Sequence, residues 1–430
     1  MRKEDPVLFP SESQIRNSAV FKASPLHKLT REQGNAKDFI IKKIFAAMGK
    51  EDKQLIFIEG EAGTGKTVLN SSTFYELHVK SEEVGIKKPQ YYLVVNHDEQ
   101  IGVYEQIAKR LGIIDEYGEV VCKPTSFINH HNKENPVDVV FVDEAHLLLT
   151  QGKQLYRGEN QLKDIIDRAK VVVVMFDENQ ILTTEQYWED QILNNYKDIA
   201  KESGNYFELK NQLRMSADEK TIEWIDTFTK EQEIKRIPVD TQDYEIKIFS
   251  NPSDLENAIK EKGSSEETAL SRLVATYDWE YNEKRKPSEH LKSYWEVLID
   301  TWHKPWNKQL KNELGTKDKR KIKDLAWAEQ PQTIDEIGST FTIQGFDLNY
   351  VGVILGPSVK YRDGRIILDP EASWNKKATR NRTLSDGSKK KFGEILLQHE
   401  VRVLMTRGIN GLYIYACDKE LRKALLDASK

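Results

Sequence analysis

The chain alternates short, mostly apolar runs with longer stretches in which apolar residues recur every three or four positions. The runs in its first half cover residues 55–59, 91–95, 137–142 and 171–176. Runs of this kind, apolar on both faces and separated by helices, are typical of a parallel sheet that helices cover on both sides. The pattern predicts one α/β domain over residues 29–235, which begins with a helix near Thr30.

A second alternation follows in the rest of the chain. A helical stretch at 252–262 accompanies β-type runs at 244–249, 272–276, 351–355 and 412–416. We expect a second parallel sheet within residues 236–430, with insertions near 278–335 and 360–391. Residues 1–28 contain several Ser, Pro and Lys and are interpreted as an irregular leader.

Composition narrows the class of protein only a little. The 430 residues carry a formal net charge of −5, so the chain lacks the global positive field of many nucleic-acid binders, although a motor can carry a basic channel locally. Its two cysteines lack metal-type spacing and indicate a reducing compartment. The N-terminus has no apolar signal region, and no apolar run approaches the ~20 residues that span a bilayer. We expect a cytoplasmic protein without a membrane partner.

The strongest chemical signal is the segment GEAGTGKT at residues 60–67, which fits the P-loop pattern G-x-x-x-x-G-K-[ST]. An apolar run leads into it and a helical stretch follows, as a phosphate-binding loop requires. Lys66 would reach the β- and γ-phosphates, and the Thr67 hydroxyl would bind Mg²⁺. The alternative is a glycine-rich turn that matches by accident, about once in a hundred chains of this length by average residue usage. The predicted nucleotide-binding residues are Gly60, Glu61, Ala62, Gly63, Thr64, Gly65, Lys66, Thr67 and Val68.

An acidic pair follows the third apolar run. Asp143 and Glu144 open the sequence DEAH at the predicted carboxyl end of that strand, which is the edge where ligands bind in open α/β sheets. Asp143 would hold Mg²⁺, usually through water, and Glu144 would polarise the attacking water. Acids at strand ends also serve as helix caps, which is the alternative reading. His146 would couple the γ-phosphate to the second domain, or simply pack.

Further segments occur in the order seen in superfamily 1 helicases. The segments LTREQ, VVVVMFDENQ, NQLR, FTIQGFD and LMTRG resemble the Q motif and motifs III, IV, V and VI of that superfamily. Three longer stretches, SRLVATYDWEY, FTIQGFDLNYVGVILGPS and VRVLMTRGINGLYIYA, are similar to the bacterial Schlafen-like predicted DNA/RNA helicases. The resemblance covers about residues 29–420, and a motif Ia signature is hard to place.

The resemblance implies a fold and a set of site residues. It implies two RecA-like P-loop domains with parallel sheets and an ATP site in the cleft between them. Gln33 would then read the adenine edge, and the strand-end Asp177 and Gln180 would sense phosphate. Arg214 would contact the γ-phosphate, and Arg407 would act as an arginine finger. The alternatives are an exposed helix residue for Gln33, a helix cap for Asp177 and Gln180, and surface ion pairs for the arginines.

The implied function is an ATP-dependent, Mg²⁺-requiring helicase or translocase on single-stranded DNA or RNA, in which Gln344 links the nucleotide to the bound strand. A first alternative is an ATPase switch, for example in phage defence, that grips nucleic acid or a partner protein without unwinding. A nucleotide kinase would leave the second α/β half unexplained. A pseudo-enzyme is disfavoured because no catalytic position is degraded.

Candidate nucleic-acid contacts combine aromatic rings with positive charge. A strand-end triplet at residues 277–279 (YDW) and a basic run at 317–323 are two of them. Each has an ordinary explanation, since tryptophan is more often part of a core and lysine-rich stretches are usually solvated. The remaining candidates are Trp295, Trp302, Trp306 and Trp327.

Overall fold

The computed structural model describes residues 23–50, 52–152, 156–285, 287, 294–323, 325–343 and 346–430. The chain divides into two compact units, Met1–Leu213 and Arg214–Lys430. This division falls earlier than the boundary near residue 235 that the sequence predicts. Most of the predicted leader lies outside the described residues. Among the described residues, no helix combines the length and the apolar character that a membrane crossing requires.

The first unit contains a six-stranded sheet in which every described pairing is parallel. Its central strands are buried along most of their length, as expected for a sheet with helices on both faces. Its strands are β1 Gln54–Gly60, β2 Tyr91–Val95, β3 Val121–Cys122, β4 Val137–Asp143, β5 Ala169–Phe176 and β6 Tyr206–Leu209, in the order β3-β2-β4-β5-β1-β6.

The first helix begins with a capping box. The Thr30 hydroxyl accepts from the Gln33 N–H, and the Gln33 side chain accepts from the Thr30 N–H, so two backbone donors at the helix start are satisfied. Among the described residues of this unit, the α-helices are α1 Arg31–Ala47, α2 Lys66–Glu83, α3 Asp98–Arg110, α4 Ile113–Tyr117, α5 Pro124–His130, α6 Gln161–Ile166 and α7 Asp190–Glu202.

The register of the three central strands aligns their carboxyl ends. Glu59 on β1 pairs with Phe176 on β5, and Val142 on β4 pairs with Val174 on β5. The residues that follow these strands therefore lie at one edge of the sheet. β5 lies between β1 and β4 in the sheet. Asp177, the residue after β5, therefore lies between the P-loop at the end of β1 and Asp143 at the end of β4.

The second unit contains a four-stranded parallel sheet in the order β7-β16-β11-β8. Two groups of buried apolar side chains include residues of these strands, one with Val351 and Leu412 and the other with Ile354 and Tyr413. The four strands are β7 Glu245–Ile248, β8 Arg272–Ala275, β11 Leu348–Leu355 and β16 Gly408–Ala416.

Both predicted insertions contain antiparallel hairpins. Strands β9 Glu296–Ile299 and β10 Trp302–Pro305 pair in the first insertion. The second insertion contains β12 Val359–Arg362 with β13 Arg365–Leu368, and β14 Asn381–Thr383 with β15 Lys389–Lys391. The α-helices of this unit are α8 Glu219–Asp226, α9 Pro252–Gly263, α10 Thr316–Lys321, α11 Thr340–Ile343, α12 Lys376–Thr379, α13 Gly393–Met405 and α14 Lys419–Ala428.

The predicted fold class, α/β with two parallel sheets, is confirmed. Each of the eight predicted strands is present within a few residues of its expected bounds, and the predicted helices near Thr30 and at 252–262 are α1 and α9. Two strands of the first sheet, β3 and β6, were not predicted. Both lie at edges of the sheet.

The second unit also buries two carboxyl groups close together. Glu400 on α13 accepts from the Tyr277 N–H at 2.9 Å, and Asp278 accepts from the Thr276 hydroxyl and the Ser358 N–H, each at 2.9 Å. Burial, with a smaller contribution from Asp278, raises the pKa of Glu400 to about 8. Burial likewise raises the pKa of Asp278 to about 6, against these hydrogen bonds. At neutral pH Glu400 therefore favours its protonated form, whereas Asp278 favours its ionised form.

Candidate active site at the P-loop

The P-loop connects β1 to α2 through a left-handed turn. Gly63 and Gly65 have φ angles of +87° and +78°, which side chains rarely adopt. A Cβ on Gly65 would also displace the amide nitrogen of Gln33, so a side chain there would be strained and would disturb that contact. The helix begins immediately afterwards at Lys66. Its first turn therefore supplies backbone N–H groups next to the loop, which is the arrangement that binds phosphate.

The Lys66 side chain is buried against the loop and the neighbouring strand end. Its ammonium donates to the carbonyl oxygens of Gly60 at 2.7 Å and Glu61 at 2.9 Å. It also forms an ion pair with Asp177 at 3.3 Å. A phosphate that binds Lys66 would thus exchange with carbonyl and carboxylate oxygens that already satisfy the ammonium.

Gln33 contacts the P-loop from α1. Its side-chain nitrogen donates to the Thr64 carbonyl at 3.1 Å, while its oxygen accepts from the Thr30 N–H at 3.0 Å. Both ends of the amide are therefore engaged, and the side chain is only 5% exposed. Its predicted contact with adenine stays a prediction.

Asp143 ends β4 as a buried carboxylate beside a tyrosine. The Tyr104 hydroxyl on α3 donates to Asp143 Oδ2, and it also lies 3.5 Å from the Thr67 carbonyl oxygen. Burial and the neighbouring Glu144 raise the pKa of Asp143 to about 7, although the hydrogen bond from Tyr104 and the charge of Lys66 oppose the shift. Burial raises the pKa of Tyr104 well above its ordinary value, so the phenol keeps its proton and acts as the donor.

Glu144 adopts a left-handed backbone conformation, with φ of +48°. Its carboxylate accepts from the Gln100 side-chain nitrogen on α3 at 3.2 Å. The His146 ring nitrogen Nε2 lies 3.2 Å from the other carboxylate oxygen, and His146 is fully buried. The side chain of Glu144 is thus held from two sides beside Asp143.

The end of β5 brings the predicted phosphate sensors to the same edge. Asp177 Oδ2 accepts from the Gln180 side-chain nitrogen at 2.7 Å and pairs with Lys66. Asp177 Oδ1 accepts from the Asn179 N–H at 3.1 Å, which caps the short 3₁₀ helix Glu178–Gln180. The capping role and the contact with the P-loop lysine therefore coexist in one carboxylate.

The predicted arginines of motifs IV and VI lie in the second unit. Arg214 forms an ion pair with Asp347, and its guanidinium lies 3.5 Å from the Thr406 carbonyl oxygen. Arg407 is fully buried, and it donates to the carbonyl oxygens of Val403 at 3.1 Å and Phe346 at 3.4 Å. The segments predicted as motifs IV, V and VI thus contact one another. Gln344 lies outside the described residues.

The candidate tryptophans differ in exposure. Trp306 and Trp327 are at most 1% exposed and belong to the apolar cores, so neither presents a face to a base. Trp302 is half-buried and donates to Glu256 at 2.8 Å, and Trp295 donates to the carbonyl oxygen of Asn282. The basic run at 317–323 is mostly exposed around α10.

Comparison with known proteins assigns the chain to a family. A family model described as Schlafen group 3, DNA/RNA helicase domain, matches residues 53–418. The chain belongs to this family. The matched range includes the P-loop at residues 60–67 and the candidate residues Asp143, Glu144, Arg214 and Arg407.

Individual relatives add little about activity. The chain is 34% identical over 409 residues to the uncharacterized protein YPL245W of Saccharomyces cerevisiae, covering 87% of this chain and 84% of the relative. Arterivirus nonstructural protein 10, a helicase solved with DNA, shows 13% identity and a TM-score of 0.32 over 90% of this chain and 65% of its own. The PRRSV helicase shows 11% identity and a TM-score of 0.37 over 88% and 56%. The chain thus spans less than two thirds of either viral helicase.

Two residues that contact the candidate site in this Schlafen group 3 helicase domain were not predicted from the sequence. Gln100 and Tyr104 are four residues apart on α3, and they donate to Glu144 and Asp143 respectively. Residues at this spacing lie on one face of a helix, so a polar pair on the buried face of α3 was the available signal. Nothing local in the sequence connects that pair to the acids, because β4 follows about 30 residues later.

Proposed function

We propose that this Schlafen group 3 helicase domain hydrolyses ATP in the presence of Mg²⁺ and couples the turnover to movement along single-stranded DNA or RNA. One observation supports this most directly. The P-loop lysine, the acidic pair Asp143 and Glu144, and the strand-end Asp177 meet at one edge of the first sheet. Phosphate-binding donors and carboxylates for a metal and a water are what phosphoanhydride hydrolysis needs.

The residues at this edge suit a magnesium nucleotide. Mg²⁺ takes oxygen ligands and keeps several waters, so one carboxylate and one hydroxyl suffice from the protein. Asp143 and Thr67 would supply them, with Tyr104 holding the carboxylate in place. When bound, Mg²⁺ would neutralise negative charge on the phosphate oxygens. Lys66 and the N–H groups at the start of α2 would bind those oxygens as well.

Glu144 is the group we propose as the orienter of the attacking water. Its carboxylate can accept a proton from a hydrogen-bonded water, and its contacts with Gln100 and His146 would fix its direction. Gln180, whose side chain donates to Asp177, would sense whether phosphate is bound. A water attack then needs no covalent intermediate with the protein.

The resemblance to superfamily 1 also motivates roles for Arg214, Arg407 and Gln344, which we keep as part of the proposal. A guanidinium that neutralises the transferred phosphoryl is worth about 10³–10⁵ in rate where it has been measured. We expect Arg407→Ala to remove turnover and largely to spare nucleotide binding. Parental turnover in that variant would contradict the arginine-finger role.

The proposal is tested by measuring ATP hydrolysis with and without single-stranded DNA and single-stranded RNA. We expect Lys66→Ala and Glu144→Gln to abolish turnover, with nucleotide binding retained in Glu144→Gln. An exposed-residue control such as Gln191→Ala should hydrolyse ATP at the parental rate. Hydrolysis that persists in Lys66→Ala would contradict the assigned site.

Strand displacement separates a helicase from a nucleic-acid-regulated switch. A helicase or translocase should displace an annealed strand, or a bound protein, in an ATP-dependent manner. Stimulation of hydrolysis by single strands without displacement would favour the switch. Transfer of phosphate to an acceptor other than water would instead favour a kinase.

A further inference from the structure

An exposed tryptophan stands in the second insertion of the second unit. Trp374 is 46% exposed, although its ring is among the largest apolar groups in the chain. It precedes α12 and the hairpin of β14 and β15. We name the region formed by Trp374 and the exposed cations Lys376, Lys377, Arg380, Lys389, Lys390 and Lys391 the Trp374 surface.

The backbone around Trp374 is fixed by hydrogen bonds. The Trp374 N–H donates to the Tyr277 carbonyl at 2.9 Å, and the Ser373 hydroxyl donates to the same oxygen at 3.1 Å. Asn375 then caps α12 by accepting from the Ala378 N–H. The exposure of Trp374 therefore does not come from an unsupported loop. The ring is thus carried on an ordered backbone and presents part of its surface to solvent.

The same region carries a concentrated positive charge. Residues 374–391 contain seven Lys or Arg and one acidic residue, whereas the whole chain has a net charge of −5. Lys376 lies 5.7 Å from the centre of the Trp374 ring. Lys377 lies 5.2 Å from the ring of Phe341, which itself packs edge-on against Tyr277. The surface therefore combines aromatic rings with cations at short range.

We propose that the Trp374 surface binds single-stranded nucleic acid, with an unpaired base stacked on Trp374 and the surrounding lysines on the phosphates. Aromatic platforms within positive charge are how proteins hold single strands without reading sequence. A paired base has both faces covered within the duplex, so the exposed ring selects unpaired strands. The inference rests on the proposed function and specifies where in the second unit the strand binds.

The first test measures the affinity of the full chain for fluorescent oligonucleotides, dT20 and U20, without nucleotide. We expect Trp374→Ala to bind about five- to 150-fold more weakly, the range that loss of one stacked base gives. Trp374→Phe keeps an aromatic face and should retain most of the affinity. Ile367→Ala, a similarly exposed apolar side chain at 44% exposure, is the matched control and should bind as the parent does.

The second test separates specific contacts from general charge. We compare Lys389, Lys390 and Lys391 changed together to Ala with an equal change of charge at Lys317, Lys319 and Lys321 on α10. Replacement of three phosphate contacts should lower the slope of log affinity against log salt by about 2 for a single strand. The α10 variant should keep the parental slope. Thermal melting of every variant verifies that it is folded.

Each outcome has one meaning. Parental affinity in Trp374→Ala, or equal losses in the two lysine variants, would overturn the inference while leaving the proposed function intact. A parent chain that binds neither oligonucleotide would overturn the proposed function itself. Tighter binding of poly-glutamate than of dT20 and U20 by the parent, lost in Trp374→Ala, would assign the surface to an acidic protein segment and would also refute it.

Discussion

Replacement of Gln33 by alanine tests how the first helix supports the P-loop. The amide of Gln33 joins the Thr30 N–H at the start of α1 to the Thr64 carbonyl within the loop. Gln33→Ala removes both hydrogen bonds but leaves the N–H of residue 33, which still donates to the Thr30 hydroxyl. The substitution also leaves a gap beside Gly65, whose backbone the amide contacts.

The expected loss follows from these two bonds. A net hydrogen bond contributes about 0.5–1.5 kcal/mol, so the pair contributes about 1–3 kcal/mol to the free energy of unfolding of the first unit. For a unit of this size, each kcal/mol corresponds to a melting shift of about 2–4 °C. The Thr64 carbonyl is part of the phosphate-binding loop, so we also expect weaker nucleotide binding.

Thermal melting with and without nucleotide, together with ATP and GTP titrations, measures both effects. If Gln33 only braces the loop, Gln33→Ala should weaken ATP and GTP binding in parallel. If it also reads adenine, ATP binding should fall further than GTP binding. Gln191→Ala on the exposed face of α7 is the matched control. An unchanged melting temperature in Gln33→Ala would refute the bracing argument.

The other predictions concern three buried polar groups. Tyr104→Phe removes the hydrogen-bond donor to Asp143. Loss of a residue that supports a metal ligand usually weakens metal affinity about 10- to 100-fold, so we expect a loss of this size in the apparent Mg²⁺ affinity measured in nucleotide titrations. An unchanged affinity would contradict the supporting role of Tyr104. The pKa of Glu400 is raised to about 8 in the folded chain, from about 4.3 in an unfolded one. The contribution of Glu400 to the free energy of unfolding is therefore complete below about pH 4 and is lost as the pH rises through 8. Melting between pH 5 and 9 should show a smaller fall in Glu400→Gln than in the parent, whereas exposed Glu394→Gln on the same helix should match the parent. Arg407→Ala removes the donor to two carbonyl groups and should lower the melting temperature of the chain. Arg407→Lys should lower the melting temperature less. Equal melting temperatures of Arg407→Ala and the parent would contradict a structural role.

The sequence predicts central strands better than edge strands. The strands β4 and β5 are buried on both faces and therefore appear as continuous apolar runs. β3 has only two residues, and β6 (YFEL) has an exposed glutamate and only one fully buried position. An edge strand has a neighbour on one side only, so packing constrains its side chains less. Periodicity alone was insufficient to predict β3 and β6.

The candidate site divides in the same way between local and tertiary signals. The spacing of the P-loop and the position of Asp143 after an apolar run are local patterns, and both could be predicted. The exposure of Trp374 could not, because the sequence around it resembles the segments of buried tryptophans such as Trp306. Only the packing of the two side chains, one in solvent and one in the core, distinguishes them.

A single helix supports both carboxylates of the acidic pair. A left-handed backbone at a non-glycine residue is strained by about 1–3 kcal/mol and persists only where the surroundings hold it. At Glu144, Gln100 from α3 and His146 supply that constraint. Tyr104 from the same helix holds Asp143. Because Gln100 and Tyr104 both lie on α3, the geometry of both acids depends on the packing of that helix as well as on β4.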